Sequence, residues 1–337
     1  MKTIIEQSKK YDSLDSLQND LALHNVRETT PFRLNQMELT TRGTVRVIGM
    51  YPGEQEYPLT QISLEDAIKR GGLQVSCCQN FFQENQYELD DVIVKAINSY
   101  YRCSSTSNSE IKLITREEEN GQRVAVGIPS AKYVLYTHQE YLQKLSKNIP
   151  PNLRFARANL YPEYLDLGFT DPIRTARDKV GEIVELGLSF NNSEGTRSCS
   201  LISSCFSLRL ICTNGAVAAH PAFSIRHAHR GDLHNNTQMF IEKTEVILQR
   251  FHELMENLPR LGDMPITEQF IQEIHTDLID AIKSQKTEEF MNGLDKTKQS
   301  IGDVWDKVTN MPHNIKNSQT KMKLEQLGFR ILTLSLL

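Results

Sequence analysis

No stretch of this chain approaches the roughly 18 consecutive apolar residues that a bilayer-crossing helix needs, so a membrane span is not expected. The opening segment MKTIIEQSKKYDSLDSL turns polar after Ile5 and lacks the apolar centre of a secretion signal, which predicts a cytoplasmic setting. Cysteine is sparse and unpatterned. Cys77, Cys78, Cys103, Cys199, Cys205 and Cys212 form no C-x-x-C pair, which argues against a zinc ribbon and a thioredoxin-type redox site. Reduced and mostly buried thiols are expected instead. Also missing are a Walker A sequence, a G-x-G-x-x-G turn after a strand, a G-x-S-x-G elbow and H-E-x-x-H. No pair of carboxylates stands apart from the solvated charges. No cofactor is needed by this pattern, and enzymatic activity finds no support in it.

The most telling absence is local. From Thr196 to Gly231, TRSCSLISSCFSLRLICTNGAVAAHPAFSIRHAHRG holds Arg197, Arg209, Arg226 and Arg230 with three histidines, and no aspartate or glutamate. The whole chain carries 42 acidic against 38 basic residues, a net charge of −4, which excludes binding to nucleic acid by bulk electrostatics. Any such binding has to come from a patch, and an acid-free run of this length provides one. The competing reading is a buried β-hairpin with its few charges at the ends.

What is present divides the 337 residues into three stretches. Residues 1–40 are polar and weakly patterned, a mobile arm or short helices. Residues 41–231 are rich in strand signals. Residues 232–337 are helical in pattern and end in the apolar tail GFRILTLSLL. Strands grouped first and helices later predict an α+β fold, with antiparallel hairpins in the middle of the chain and a helical C-terminal third. Asn120-Gly121 between IKLITRE and RVAVGIP marks one hairpin. Asn191-Asn192-Ser193-Glu194-Gly195 reads as the polar loop of a second, and Asn214-Gly215 marks a third turn. TRGTVRVIGMYPG alternates like a strand and ends in a Pro52-Gly53 turn. ISLEDAIKRGG reads as a short helix with Ser63 as N-cap. Helices are expected from Phe240 to Leu258 and after Thr267, with further amphipathic pieces at Glu288–Val308 and Gln319–Leu327. The tail is costly to leave in water, and packs as a final strand or docks on a neighbouring subunit.

RVAVGIPSAKYVLYTH, GLSFNNSEGTRSCSLISSCFSLRLICTNGAV, SIRH and IGDVWDKVTN follow one another in this order. Together they resemble the phage- and plasmid-encoded family known as domain of unknown function 932, over roughly residues 123–330. The sharpest element is Arg209 to Asn214. The resemblance implies a mobile-element setting and brings no settled activity. A looser likeness is to single-strand annealing proteins of the Rad52 type, which also join β-hairpins to helices.

Arg226 and Arg230 are the first candidates for phosphate contact, because a guanidinium fork matches phosphate oxygens in a way lysine cannot. Arg197 and Arg209 lie on the preceding hairpin and extend the patch. His227 and His229 form an H-x-H pair and add donors. With His220 or His234 they form a candidate metal chelate, but only Asp232 is close enough to supply the usual carboxylate. Arg154 and Arg157, interleaved with Phe155 and Tyr161, form a second cluster suited to a single strand, whose bases stack on rings while arginines follow the backbone. The alternative there is a core Phe155 with both arginines paired to Glu163 or Asp166. Cys212 has no His/Asn signature of a nucleophile. The expected function is single-stranded nucleic-acid binding and annealing by a homo-oligomer. A counter-defence factor binding a host protein and a metal-dependent hydrolase are the alternatives.

Overall fold

Period-two alternation builds the centre of the molecule. The computed structural model describes residues 9–49, 56–74, 89–118, 120–161, 164–177, 183–195, 200–209, 223–231, 233–311 and 318–336. Along Ile183–Asn192, the residues Val184, Leu186, Leu188 and Phe190 are all fully buried, and each lies two positions from the next, so they share one face. The strands in chain order are β1 (Lys9–Tyr11), β2 (Arg27–Glu28), β3 (Phe32–Arg33), β4 (Met37–Leu39), β5 (Thr44–Val47), β6 (Glu56–Pro58), β7 (Glu110–Ile111), β8 (Ile114–Glu117), β9 (Arg123–Gly127), β10 (Arg154–Leu160), β11 (Leu165–Arg177), β12 (Ile183–Asn192), β13 (Ser200–Arg209) and β14 (Ser224–Ala228). The helices are α1 (Leu14–Ala22), α2 (Gln61–Arg70), α3 (Asp91–Cys103), α4 (His138–Asn148), α5 (Leu233–Met255), α6 (Glu268–Ile282), α7 (Ser284–Asn292), α8 (Ile301–Asn310) and α9 (Ser318–Leu336).

The architecture is α+β, as the pattern predicts. A six-stranded antiparallel sheet runs in the order β1-β10-β11-β12-β13-β14. On its apolar face Phe155, Phe169 and Phe190 form an edge-to-face ladder with centroids 6.0 and 5.9 Å apart. That core continues into α1, α4 and the C-terminal helices. A second, smaller core joins Phe32, Leu34, Met37 and Leu39 to β5, α2, α3 and Ile128.

The hairpins expected at Gly121 and between β12 and β13 both form. Gly121 takes a positive φ of 76° at the first, the conformation that makes Asn-Gly a hairpin signal. The turns expected at Pro52-Gly53 and Asn214-Gly215 lie outside the described residues.

Residues 9–39 carry the short helix α1, whose Leu17 and Leu21, one helical turn apart, are buried in the main core, and β1 pairs with β10. Three expectations are corrected. The cap of α2 is Thr60, whose side chain accepts from the Ser63 N–H, so the helix begins before the position read from the sequence. The polar loop read at Asn191–Gly195 is shorter, since Asn191 and Asn192 belong to β12, and Asn192, Ser193 and Glu194 are buried. The tail is neither a strand nor free for a neighbour. It continues α9, with Phe329, Ile331 and Leu332 buried in the chain's own core and Phe329 packed 5.4 Å from Phe223 and 5.9 Å from Phe251.

Candidate nucleic-acid interface

Strand β14 lies at one end of the sheet order and pairs with the first half of β13, with Arg226 opposite Ile202 and His227 opposite Leu201. Alternation turns Arg226 outward, where it is exposed. Arg230 follows two residues after the strand and is also exposed. Its backbone N–H donates to the Ala228 carbonyl, and its side chain meets no carboxylate among the described residues. His227 is half-buried, with Nδ1 2.9 Å from the Ala228 carbonyl. Arg226 and Arg230 are the exposed basic residues of a short ridge, and His227, next to Arg226 in the strand, alternates to its other face.

His229 leaves that ridge. It is 1% exposed, stacks parallel on Tyr133 at 5.0 Å, and its Nδ1–H donates to the Val134 carbonyl. The Val134 N–H donates back to the His229 carbonyl at 2.9 Å. Burial holds its pKa down to about 4, so the ring is neutral and clamps β14 to the segment before α4. A chelate through the H-x-H pair is not formed, because this ring faces Val134 and Tyr133. Among the described residues no group of three or more His, Cys, Asp or Glu is placed to hold a metal ion. His220 and Asp232 lie outside the described residues.

Arg157 also leaves the surface. Its Nε lies 3.4 Å from Asp166 Oδ2, its guanidinium 3.7 Å from Glu325 Oε1, and its Cζ 5.0 Å from the centroid of the Phe206 ring. Asp166 in turn accepts from Ser189 and Asn191. Burial opposes the charge on Arg157, but the two carboxylates outweigh it and hold the pKa above its ordinary value. Gly168 makes the arrangement possible, since a Cβ there would stand 2.7 Å from Arg157 Cγ. The arginine's partner is the Asp166 of the competing reading, with Glu325 of α9 as an unforeseen third member.

The remaining candidates do not form one patch. Arg154 is exposed and without a carboxylate partner among the described residues, but it begins β10, four strand spacings (on the order of 20 Å) from β14. Phe155 beside it is a partly buried core residue. Arg209 closes β13 opposite Val184, at the end of that strand remote from Ile202 and β14. Arg197 lies outside the described residues. Of the cysteines, Cys205 is buried and Cys103 exposed, both as free thiols.

A second feature sits beside the ridge. Tyr133, the ring stacked on His229, donates its hydroxyl to the Ser193 carbonyl at 2.9 Å, and the next residue is Glu194. Glu194 is 8% exposed and lines a cleft of about 240 Å³ with Leu21, Ala22, His24, Asn25, Val26, Thr137 and Gln139. The N-terminus of α4 is closed by a capping box in which Thr137 and Glu140 satisfy each other's backbone N–H groups. That leaves the His138 N–H to donate to Glu194 Oε1 at 2.5 Å. Asn192 donates to both the Tyr136 carbonyl and His138 Nδ1, each at 3.0 Å. Nδ1 is therefore the acceptor, and the ring proton sits on Nε2, 3.8 Å from Glu194 Oε2. Burial pushes the Glu194 carboxyl up to about 7 and His138 down to about 3. Sequence reasoning missed Glu194, because an N-N-S-E-G run reads as a solvated loop. The legible signal was the T-x-x-E box at Thr137.

Residues 173–326 match the model of a family described as a domain of unknown function (DUF932). No curated protein and no solved structure matches the chain. The matched span runs from within β11 into α9 and contains Glu194, the β14 ridge and Glu325. It is narrower than the resemblance read from the sequence, and β1 to β10 with α1 and α4 lie outside it.

Proposed function

We propose that the protein binds single-stranded nucleic acid through the ridge of Arg226 and Arg230, with His227 beside it, in the setting of a phage or plasmid. The observation that carries this is the exposure of Arg226 and Arg230 together at the end of the sheet, in a run from Thr196 to Gly231 that contains no acidic residue. Two exposed guanidinium forks grip phosphates and leave bases available, which annealing requires. Arg154 is a separate contact that a strand crossing the sheet would reach. Self-association belongs to the same reading, but not through the C-terminal tail, whose apolar residues are used inside the chain. The exposed Ile173 and Val246, next to the Arg174–Glu245 ion pair, are the better candidates for it.

The test is fluorescence anisotropy with a labelled single strand of about 40 nucleotides, titrated at several salt concentrations with duplex alongside. The wild type should prefer the single strand and weaken steeply with salt. Arg226→Ala with Arg230→Ala should weaken binding and lower the magnitude of the log–log salt slope by about 1.4, two phosphates' worth for a single strand. An unchanged affinity and slope in the double variant would end this reading.

A further inference from the structure

The Glu194 cleft is unused by the ridge and is built like a ligand site. Its carboxylate is buried, and one oxygen is fixed by the His138 N–H. The other oxygen makes no hydrogen bond among the described residues, and His138 Nε2 at 3.8 Å is too far for one. A buried acceptor left open toward a cavity asks for a donor from outside the chain. Leu21, Ala22 and Val26 supply an apolar wall, and His24, Asn25, Thr137 and Gln139 a polar rim. At about 240 Å³ the cleft lies below the roughly 300 Å³ at which sites for drug-sized ligands begin.

We infer that this cleft binds one unstacked nucleobase bearing an exocyclic amino group, with Glu194 Oε2 accepting from that amino group. Adenine, cytosine and guanine present an N–H₂ on the Watson–Crick edge. Thymine presents a lone N–H between two carbonyl oxygens, which a carboxylate repels. The flat faces of the base rest on the aliphatic wall. The base comes from a free nucleoside or nucleotide, or from a bound strand. The second source rests on the function proposed above, since Tyr133 links the ridge to the cleft through His229 and Ser193.

The experiment has two arms, each run on the wild type and on Glu194→Gln. Gln keeps the shape, turns its oxygen to the His138 N–H and presents an N–H₂ donor to the cleft. In the first arm, calorimetric titration with adenosine, cytidine, guanosine and thymidine should give binding of the amino-bearing nucleosides over thymidine, weakened at least tenfold in the variant. In the second, homopolymeric strands compete for the protein, and the variant should lose any preference over poly-thymidine while keeping its salt dependence. Either arm giving this pattern supports the cleft. If nucleosides bind and strands do not, the cleft stands and the ridge fails. If strands bind with the expected salt slope but Glu194→Gln changes nothing in either arm, the cleft fails and the ridge stands.

A pH series on the wild type needs no variant. Glu194 accepts only when deprotonated, so affinity for amino-bearing bases should rise with pH, centred near 7. The groups facing Glu194 are His138 and Glu140 from α4, His24 from the turn after α1, and Arg116 from β8. Affinity flat from pH 5.5 to 8.5 would overturn the assignment.

Discussion

At the scale of single residues, the decisive question is whether an arginine faces water or another charge. Arg157 and Arg226 look alike in the sequence, each with no acidic residue within four positions, and the structure gives them opposite environments. Arg157 sits between Asp166 and Glu325, both of whose side chains are 8% exposed. Removing it strands two buried carboxylates, so Arg157→Ala should cost about 3–5 kcal/mol in urea unfolding. Single-strand affinity of the folded protein should be unchanged. The ridge variants should show the reverse, weak binding with ordinary stability. A destabilisation below about 1 kcal/mol for Arg157→Ala would mean the network is solvated and the arginine available after all. Nothing in LRFARANLY could separate these cases. The partner from α9 lies 168 positions downstream, and only the folded chain brings it near.

At the scale of elements, legibility follows locality. Hairpins at Gly121 and between β12 and β13 are written in adjacent residues, as is the Thr267 cap, which accepts from the Phe270 N–H at the start of α6. Elements misread from the sequence are those whose environment is tertiary. Ser63 and Thr60 are both good capping residues three apart, and only the start of the buried stripe at Ile62 and Leu64 selects Thr60. GFRILTLSLL has the composition of a strand, but it continues the helix from Ser318 and packs Phe329 against Phe223 and Phe251. Phe329→Ala should therefore cost about 3–5 kcal/mol of stability at unchanged oligomeric state. A variant that dissociates in sedimentation while keeping its unfolding midpoint would return the tail to a subunit interface. The Glu194 cleft was illegible for the same reason, since Glu194 just past β12, the end of α1 with the turn after it, and the start of α4 meet there.

At the scale of the whole molecule, these buried groups set how stability depends on pH. Burial is the first cause in each case. His138 is held down to about 3 and His229 to about 4, with His24 also lowered, all from an unfolded value near 6.5. Between those folded values and 6.5 the unfolded chain binds protons that the folded chain does not, so stability falls as pH drops through 6.5. Glu194 acts with the opposite sign. Its carboxyl is raised from 4.5 to about 7, so over that window the folded chain holds the extra proton and stability falls as pH rises. Three histidines outweigh one carboxylate, and the wild type should lose stability from pH 6.5 to 4.5. Glu194→Gln removes the opposing contribution and should make that acid loss steeper, while His229→Phe, which keeps the stacking on Tyr133, should make it shallower. Melting midpoints at pH 4.5, 5.5, 6.5 and 7.5 for the three proteins read both signs at once. Parallel curves would show that neither side chain is buried in the state assigned to it, and with that both the clamp on β14 and the cleft beside it would lose their physical basis.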